Sequence, residues 1–279
     1  CDVMNASKNY SNQSGPFHRI ILHRNLIYQF ARRQIEGRYK GSLLGLVWTV
    51  INPLVMLLIY TFIFGVVFKA RWGNSSVEGS LVEFAVILLC GISTFNIFSE
   101  CVSSAPSLIV NNANLVKKVV FPLEILPVST LLAAMFQGII NLAVVVVVHF
   151  MVAGTIPVTL LFWPIFILPL LCFSLGATWF LSGLGVFFRD IQQLIGLVLT
   201  ALFFVTPIFF SAGAVPPSFS LLVNINPLSY MIESVRMIVL WNQIPRFDTY
   251  AMIFAVSLMV LCGGYMFFMR TRKAFADIL

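Results

Sequence analysis

The chain has 279 residues, of which 59% are hydrophobic and 10% charged, and its mean hydropathy is +0.97. A soluble domain carries about 25% charged residues, so 17 Lys+Arg and 10 Asp+Glu are too few to cover a soluble surface of this size. The composition counts against a soluble enzyme, a disordered chain and a fibrous protein, and predicts an all-α polytopic membrane protein.

The first forty residues are polar or mixed and carry no cleavable signal pattern. Within them, residues 17–38 read FHRIILHRNLIYQFARRQIEGR, with Ile20, Ile21, Ile27, Phe30 and Ile35 mixed with Arg24, Arg32 and Arg33 at roughly helical spacing. This predicts an amphipathic helix at the cytoplasmic interface, its basic side toward anionic headgroups. It serves either as a positive-inside anchor alone or also as a hold for a cytoplasmic partner. No charge occurs between Lys40 and Lys69, which predicts span one over 43–68, since a bilayer core needs about 20 apolar residues. Span one contains Trp48, Asn52, Tyr60, Phe62, Phe64 and Phe68, and Pro53 within it frees a carbonyl.

Span two is predicted over 84–105, with Glu100 near its far end. Residues 106–122 then form a loop longer than a mere connection requires. In it Asn111 or Asn112 is expected to cap a short helix that carries Asn114 and Leu115 and ends near Lys117 and Lys118, where cations suit the helix dipole. Residues 125–188 contain no Asp, Glu, Lys or Arg, too long for one helix and right for two, over 125–152 and 158–186. The break falls at Ala153-Gly154-Thr155-Ile156-Pro157. Span five is predicted over 192–210, with Phe203, Phe204, Phe209 and Phe210 around Pro207.

Residues 211–248 form the next connection. Val215-Pro216-Pro217 ends a turn, and Asn226-Pro227 opens a helical stretch to Trp241 in which Glu233 and Arg236 are three apart and able to interact. Irregular or re-entrant pieces at membrane depth need shielding by protein or by a water-filled cavity, which favours a transport pathway over a simple anchor. Span six is predicted over 249–269, followed by a tail of residues 270–279. Thirteen of the seventeen Lys and Arg fall on the side of the two termini and four on the other, so both termini are expected in the cytoplasm.

The rings of spans one and five have two readings, as ordinary lipid-facing or core residues or as a set of faces on which sugar rings stack and slide. Glu100, Glu124 and His149 are the ionisable candidates in or near the spans. Lysine pairing or hydration at the cytoplasmic face also accounts for the two acids. Cys1, Cys90, Cys101, Cys172 and Cys262 have no paired or metal spacing and read as free thiols, and His18, His23 and His149 do not cluster with them. No phosphate-binding loop is present, so no nucleotide-hydrolysing site and no cofactor are expected in this chain.

The run Arg38-Tyr39-Lys40-Gly41-Ser42-Leu43-Leu44-Gly45-Leu46-Val47-Trp48 followed by Asn52-Pro53 resembles the opening signature of the membrane subunit of ABC transporters that export bacterial polysaccharides. Phe187-Phe188-Arg189-Asp190-Ile191 and Asn226-Pro227-Leu228-Ser229-Tyr230, with Glu233 and Arg236, fit the same family in order and spacing. The resemblance implies a half-transporter in a bacterial inner membrane. It pairs with a second copy of itself and with two cytoplasmic ATPase subunits that bind ATP and Mg. Its cargo would be a polyprenyl-linked or other lipid-linked glycan such as O-antigen, capsule or teichoic acid, with no nucleic acid involved. By the same resemblance Asn111, Asn112, Asn114, Leu115, Lys117 and Lys118 correspond to a coupling helix seated on the ATPase. Arg32, Arg33, Arg38 and Lys40 correspond to the surface near an entering pyrophosphate headgroup. Trp48, Asn52, Tyr60, Phe64, Phe203, Phe204 and Phe209 would line the channel, and Pro216, Pro217, Asn226, Tyr230, Glu233 and Arg236 belong to an outer gate. An exporter half for drugs or small lipids shares this topology. An ion-coupled secondary transporter would show internal repeats and midplane charge, neither of which is evident in the chain.

Overall fold

The computed structural model describes residues 21–42, 44–67, 81–118 and 121–279, and the side chains of Tyr39, Leu81 and Lys118 lie outside what is described. The start of the expected amphipathic helix (residues 17–20), Phe68 at the end of span one, and Lys69 and Arg71 beyond it are likewise outside the described residues. No strand occurs among the described residues.

Helix α1 spans Arg24–Tyr39. A 3-10 turn, Gly45–Val47, leads into α2 (Trp48–Tyr60), which widens into π-helical turns over Thr61–Val67. The long α3 (Leu81–Leu108) is followed by a 3-10 turn and the six-residue α4 (Ala113–Lys118). Helix α5 (Ile125–Ala153) ends where Gly154 takes φ 70°, so the break expected at 153–157 is where the chain turns. The next crossing is segmented: a 3-10 turn Val158–Phe162, α6 (Trp163–Phe166) and α7 (Leu168–Phe187). Helix α8 covers Ile191–Val205, α9 Ser220–Ile225 and α10 Pro227–Val239. Helix α11 (Phe247–Thr271) and the terminal α12 (Phe275–Ile278) close the fold.

Among the described residues, five helical runs are long and apolar enough to cross a membrane: Gly45–Phe64, Val82–Leu108, Ile125–Ala153, Val158–Phe187 and Phe247–Ile278. The expected fifth span over 192–210 differs. Helix α8 has 15 residues, about 22 Å at 1.5 Å per residue, short of a core of about 30 Å. It stops because Pro207 has no N–H to donate and Thr206 turns extended.

Helix α3 is the axis of the bundle. In its most apolar window 78% of residues are buried, against 17–33% in the other four long runs, and α2, α5, α7, α8 and α10 all pack on it. Close approach depends on glycine. A Cβ on Gly185 of α7 would overlap the backbone of Pro106 in α3, and α7 and α11 cross with Gly176 and Gly264 in backbone contact. Small residues at such crossings let helices gain dispersion contacts in lipid, where water provides no drive for association. The outward faces carry exposed Leu58, Met151, Leu161, Leu197 and Met259, a surface suited to hydrocarbon. A second core, including Ile27, Leu108, Ile109, Leu126, Trp179 and Phe275, gathers α1, α4 and α12 at one end of the bundle. That end, with its arginines and lysines, is the basic end. Cys90, Cys101, Cys172 and Cys262 are free thiols, the first two buried and Cys262 exposed.

Candidate functional site

At the end opposite the basic one, the chain leaves α8 with carbonyls that no helix turn can satisfy. Arg236 of α10 supplies the donors. Its Nη1 donates to the Pro207 carbonyl at 2.7 Å, its Nη2 to Ile208 at 2.8 Å, and its Nε to Ile87 of α3 at 3.3 Å. Arg236 is 0% exposed. Its Nη1 also lies 3.5 Å from Glu233 Oε2, the pairing expected from their spacing, but the backbone contacts are shorter. A Cβ on Gly91 would overlap Nη2, so glycine makes room for the guanidinium on α3. Asn226 makes a second tie. Its Oδ1 caps α10 by accepting from Leu228 N at 3.0 Å, and its Nδ2 donates to Thr206 Oγ1 at 2.8 Å. Thr159 Oγ1 donates to the Ile238 carbonyl at 2.7 Å, which holds the α5–α6 connection to α10. The candidate gate residues are therefore unequal: Asn226 and Arg236 are buried fasteners, Tyr230 and Glu233 are half-buried, and Pro216 and Pro217 are exposed on the loop before α9.

Beside this break the candidate channel-lining rings converge. Phe64, in the π-helical end of α2, stacks on Phe209 with centroids 5.5 Å apart at 26°. Phe209 meets Phe203 edge-on at 5.1 Å and stacks with Phe204 at 6.0 Å, while Tyr60 lies 6.4 Å from Phe64. Phe84 and Phe95 of α3 extend the cluster to the core. Five of the seven candidates thus form one cluster. Trp48 and Asn52 do not join it. They are exposed on the first turns of α2.

The same helix carries a polar device missed in the sequence. Pro53 removes the N–H that would serve the carbonyl four residues earlier, that of Thr49. Gln137 of α5 fills the place, donating to the Thr49 carbonyl at 3.1 Å and to Asn141 Oδ1 at 3.0 Å. The signal was two amides, Gln137 and Asn141, four apart in an otherwise apolar span.

At the basic end, α1 turns Ile27 and Ala31 inward, and Gln34 donates to Thr130 Oγ1 at 3.3 Å and to Ser129 Oγ at 3.4 Å on α5. Arg32 pairs with Glu36 at 2.6 Å, which holds the guanidinium above its usual pKa. Arg38 pairs with Glu100 of α3, and Arg33 and Lys40 are exposed. Glu100 and Glu124, expected to pair with lysine or to be hydrated, each have an arginine partner. Glu124 is 3% exposed, and its carboxylate accepts from Arg272 at 2.7 Å while its carbonyl accepts from Trp179 Nε1 at 3.1 Å. The Asn112 amide donates to the Leu108 carbonyl at 2.8 Å and finishes α3. Asn111, Asn114 and Lys117 are exposed at every third position, whereas Leu115 and Val116 pack into the second core. The turn and α4 thus present a polar stripe outward from an anchored apolar face. Among the described residues no group of three His, Cys, Asp or Glu is placed to hold a metal ion.

Comparison with known proteins bears on this arrangement. The family model described as "ABC-2 type transporter" matches residues 25–240. The chain is similar to an O-antigen export system permease protein, RfbA, of Klebsiella pneumoniae, at 28% identity over 91% of this chain and 95% of that protein. An RfbA of Myxococcus xanthus is 28% identical over the same shares. The polysialic acid transport protein KpsM of Escherichia coli is 24% identical over 73% of this chain and 77% of its own length.

Proposed function

The chain belongs to the ABC-2 type transporter family as a polytopic membrane permease, and from that premise we propose that it exports a lipid-linked polysaccharide of the O-antigen or capsule kind. Two copies would form the path, with α8 and the segment after it completing a sixth crossing. Two ATPase subunits would bind ATP and Mg on the cytoplasmic face of a bacterial inner membrane, where both termini lie. The relatives named for O-antigen export and polysialic acid transport support the substrate class.

One observation carries the reading: Tyr60 and Phe64 of α2, Phe203 and Phe204 of α8 and Phe209 of the non-helical break after α8 form one ring cluster. Ring faces bind the weakly apolar C–H faces of sugars without strong hydrogen bonds. A moving polymer needs such shallow contacts, since entry must be favourable and exit still easy. The outward stripe Asn111, Asn114 and Lys117 suits docking to the ATPase. ATP-driven closure of the ATPase pair would then push on α4 and, through the second core, on α1, α7 and α12. Arg33 and Lys40, exposed at the same end, suit an anionic pyrophosphate better than Arg38, whose charge is shared with Glu100. No bond in the glycan is broken, so the chain itself needs no acid, base or nucleophile.

The test is a paired substitution, Phe64→Leu with Phe209→Leu, in cells that depend on this permease. Surface glycan is expected to fall several-fold while the protein accumulates normally, because an aromatic pair contributes only about 0.5–1.5 kcal/mol beyond burial. Full surface glycan in that variant contradicts the role of the rings. Export of small amphiphiles by the wild-type protein, with glycan unaffected by its loss, contradicts the substrate class.

A further inference from the structure

A cavity of about 210 Å³ opens at the end of the bundle opposite the basic one, between α10 and the first turns of α7 and α11. Its wall includes Phe166, Tyr230, Glu233, Met237, Arg246 and Tyr250, and it shares no residue with the aromatic cluster. It holds several times the ~30 Å³ share of one water yet is smaller than the ~300–1,000 Å³ of a drug-sized site. That volume suits a compact headgroup rather than a sugar chain.

Its chemistry is polarised. Glu233 stands on the inner wall, 35% exposed, with the Arg236 guanidinium 3.5 Å away on its protein side. A carboxylate offers about four acceptor positions, so one long contact leaves capacity toward the cavity. Aromatic rings line the same cavity. Tyr250 is fixed by donating its hydroxyl to the Ile165 carbonyl at 2.9 Å, and its ring lies 4.8 Å from that of Phe166. An acid beside ring faces attracts an ammonium group. At the mouth, Arg246 holds Asp248 at 2.7 and 3.2 Å through two of its nitrogens. A guanidinium has five N–H donors, so an anion remains within its capacity. Ile244 and Phe247, 59% and 81% exposed, flank the lining residues Pro245 and Arg246 in the chain and add apolar surface fit for acyl chains.

We propose that this cavity binds the phosphoethanolamine headgroup of a membrane phospholipid, its ammonium on Glu233 and its phosphate at Arg246. A primary ammonium satisfies Glu233 with N–H donors. A trimethylammonium has none and is bulkier, so the site selects phosphatidylethanolamine over phosphatidylcholine. Phosphatidylglycerol has no cation for Glu233 and is bound more weakly still. The inference is independent of the exported substrate.

The experiment uses the permease assembled with its ATPase partner, delipidated in detergent and titrated with short-chain phosphatidylethanolamine, phosphatidylcholine, phosphatidylglycerol or free phosphoethanolamine. Bound lipid is counted by native mass spectrometry. The wild-type complex is expected to hold phosphatidylethanolamine roughly tenfold more tightly than phosphatidylcholine, a difference of about 1.4 kcal/mol. Glu233→Gln is expected to abolish that preference, and Met237→Trp, which fills the cavity and keeps every charge, to reduce binding as much. Equal binding of the two zwitterionic lipids by the wild type overturns the proposal whether or not the variants fold, and so does a preference for phosphatidylglycerol. Unchanged binding in both folded variants overturns it too. Free phosphoethanolamine binding as tightly as the lipid overturns the assignment to a membrane lipid.

Discussion

The guanidinium of Arg236 lies against Gly91, so close that a methyl group at residue 91 would overlap Nη2 and sit 3.0 Å from Cζ. One residue comes from the central helix α3 and the other from α10, 145 positions later in the numbering. Between them they let a fully buried cation close the gap where α8 ends. A charge this deep is tolerated because carbonyl dipoles of Ile87, Pro207 and Ile208 replace water around it, and the Pro207 and Ile208 carbonyls, which follow the end of α8, in turn need donors that lipid cannot offer.

Gly91→Ala is therefore expected to destabilise the permease by about 1–3 kcal/mol, the range for overfilling a packed interior. The cost should shrink sharply in an Arg236→Met background, where the colliding atoms are gone. A double-mutant cycle on thermal unfolding in detergent measures the coupling.

Arg236→Met by itself leaves the Pro207 and Ile208 carbonyls without these donors, each costing about 1–3 kcal/mol, so a loss of at least about 2 kcal/mol is expected. Arg236→Lys is not expected to restore it, since one ammonium cannot reach carbonyls on α3 and on the chain after α8 together. Yield of monodisperse protein and its unfolding midpoint report both variants.

Gln137→Leu removes the donor to the Thr49 carbonyl, with an expected cost of about 1–3 kcal/mol. In a Pro53→Ala background residue 53 regains an N–H for that carbonyl, and the same change at Gln137 should cost less than half as much. Equal costs in the two backgrounds contradict the account of α2.

Arg272→Met removes the arginine that pairs with the buried Glu124 carboxylate. Removing one partner of a fully buried pair costs about 3–5 kcal/mol; with the Arg272 side chain 35% exposed, solvent screening lowers the expectation to about 2–3 kcal/mol. Adding Glu124→Gln should recover part of the loss, as read by unfolding midpoints.

Lys117 is exposed on a six-residue helix, where surface changes alter stability by about 0.5 kcal/mol or less, and the variant to test is Lys117→Ala with Lys118→Ala. The pair should reduce ATPase stimulation and export several-fold while expression holds. Normal stimulation and export in this variant count against α4 as the contact with the motor.

The long helices were legible in the sequence because charge-free length and Gly–Pro punctuation act locally. Residues 125–188 divide at Gly154 as read, and α10 starts at the Asn226-Pro227 pair. The meeting of Phe64 with Phe209 was foreseen only as a shared use of spans one and five, since aromatic content signals a set without its geometry. The role of Arg236 was not legible. Hydropathy counts it as one more charge on the outer side, and its burial depends on carbonyls that exist as orphans only once α8 stops at Val205. Gln137 was hidden for the same reason: a proline on α2 creates its partner. Glu124 and Arg272, 148 residues apart, meet only once the helices between them have packed.

The most direct test of the export reading is reconstitution of the permease and its ATPase partner into liposomes with a fluorescent lipid-linked glycan on the side of the ATPase subunits. ATP is expected to carry the glycan to the far side, with hydrolysis stimulated by the lipid-linked glycan and not by small amphiphiles. Glycan that stays in place while ATP is consumed at an unstimulated rate, or that crosses without ATP, would contradict it.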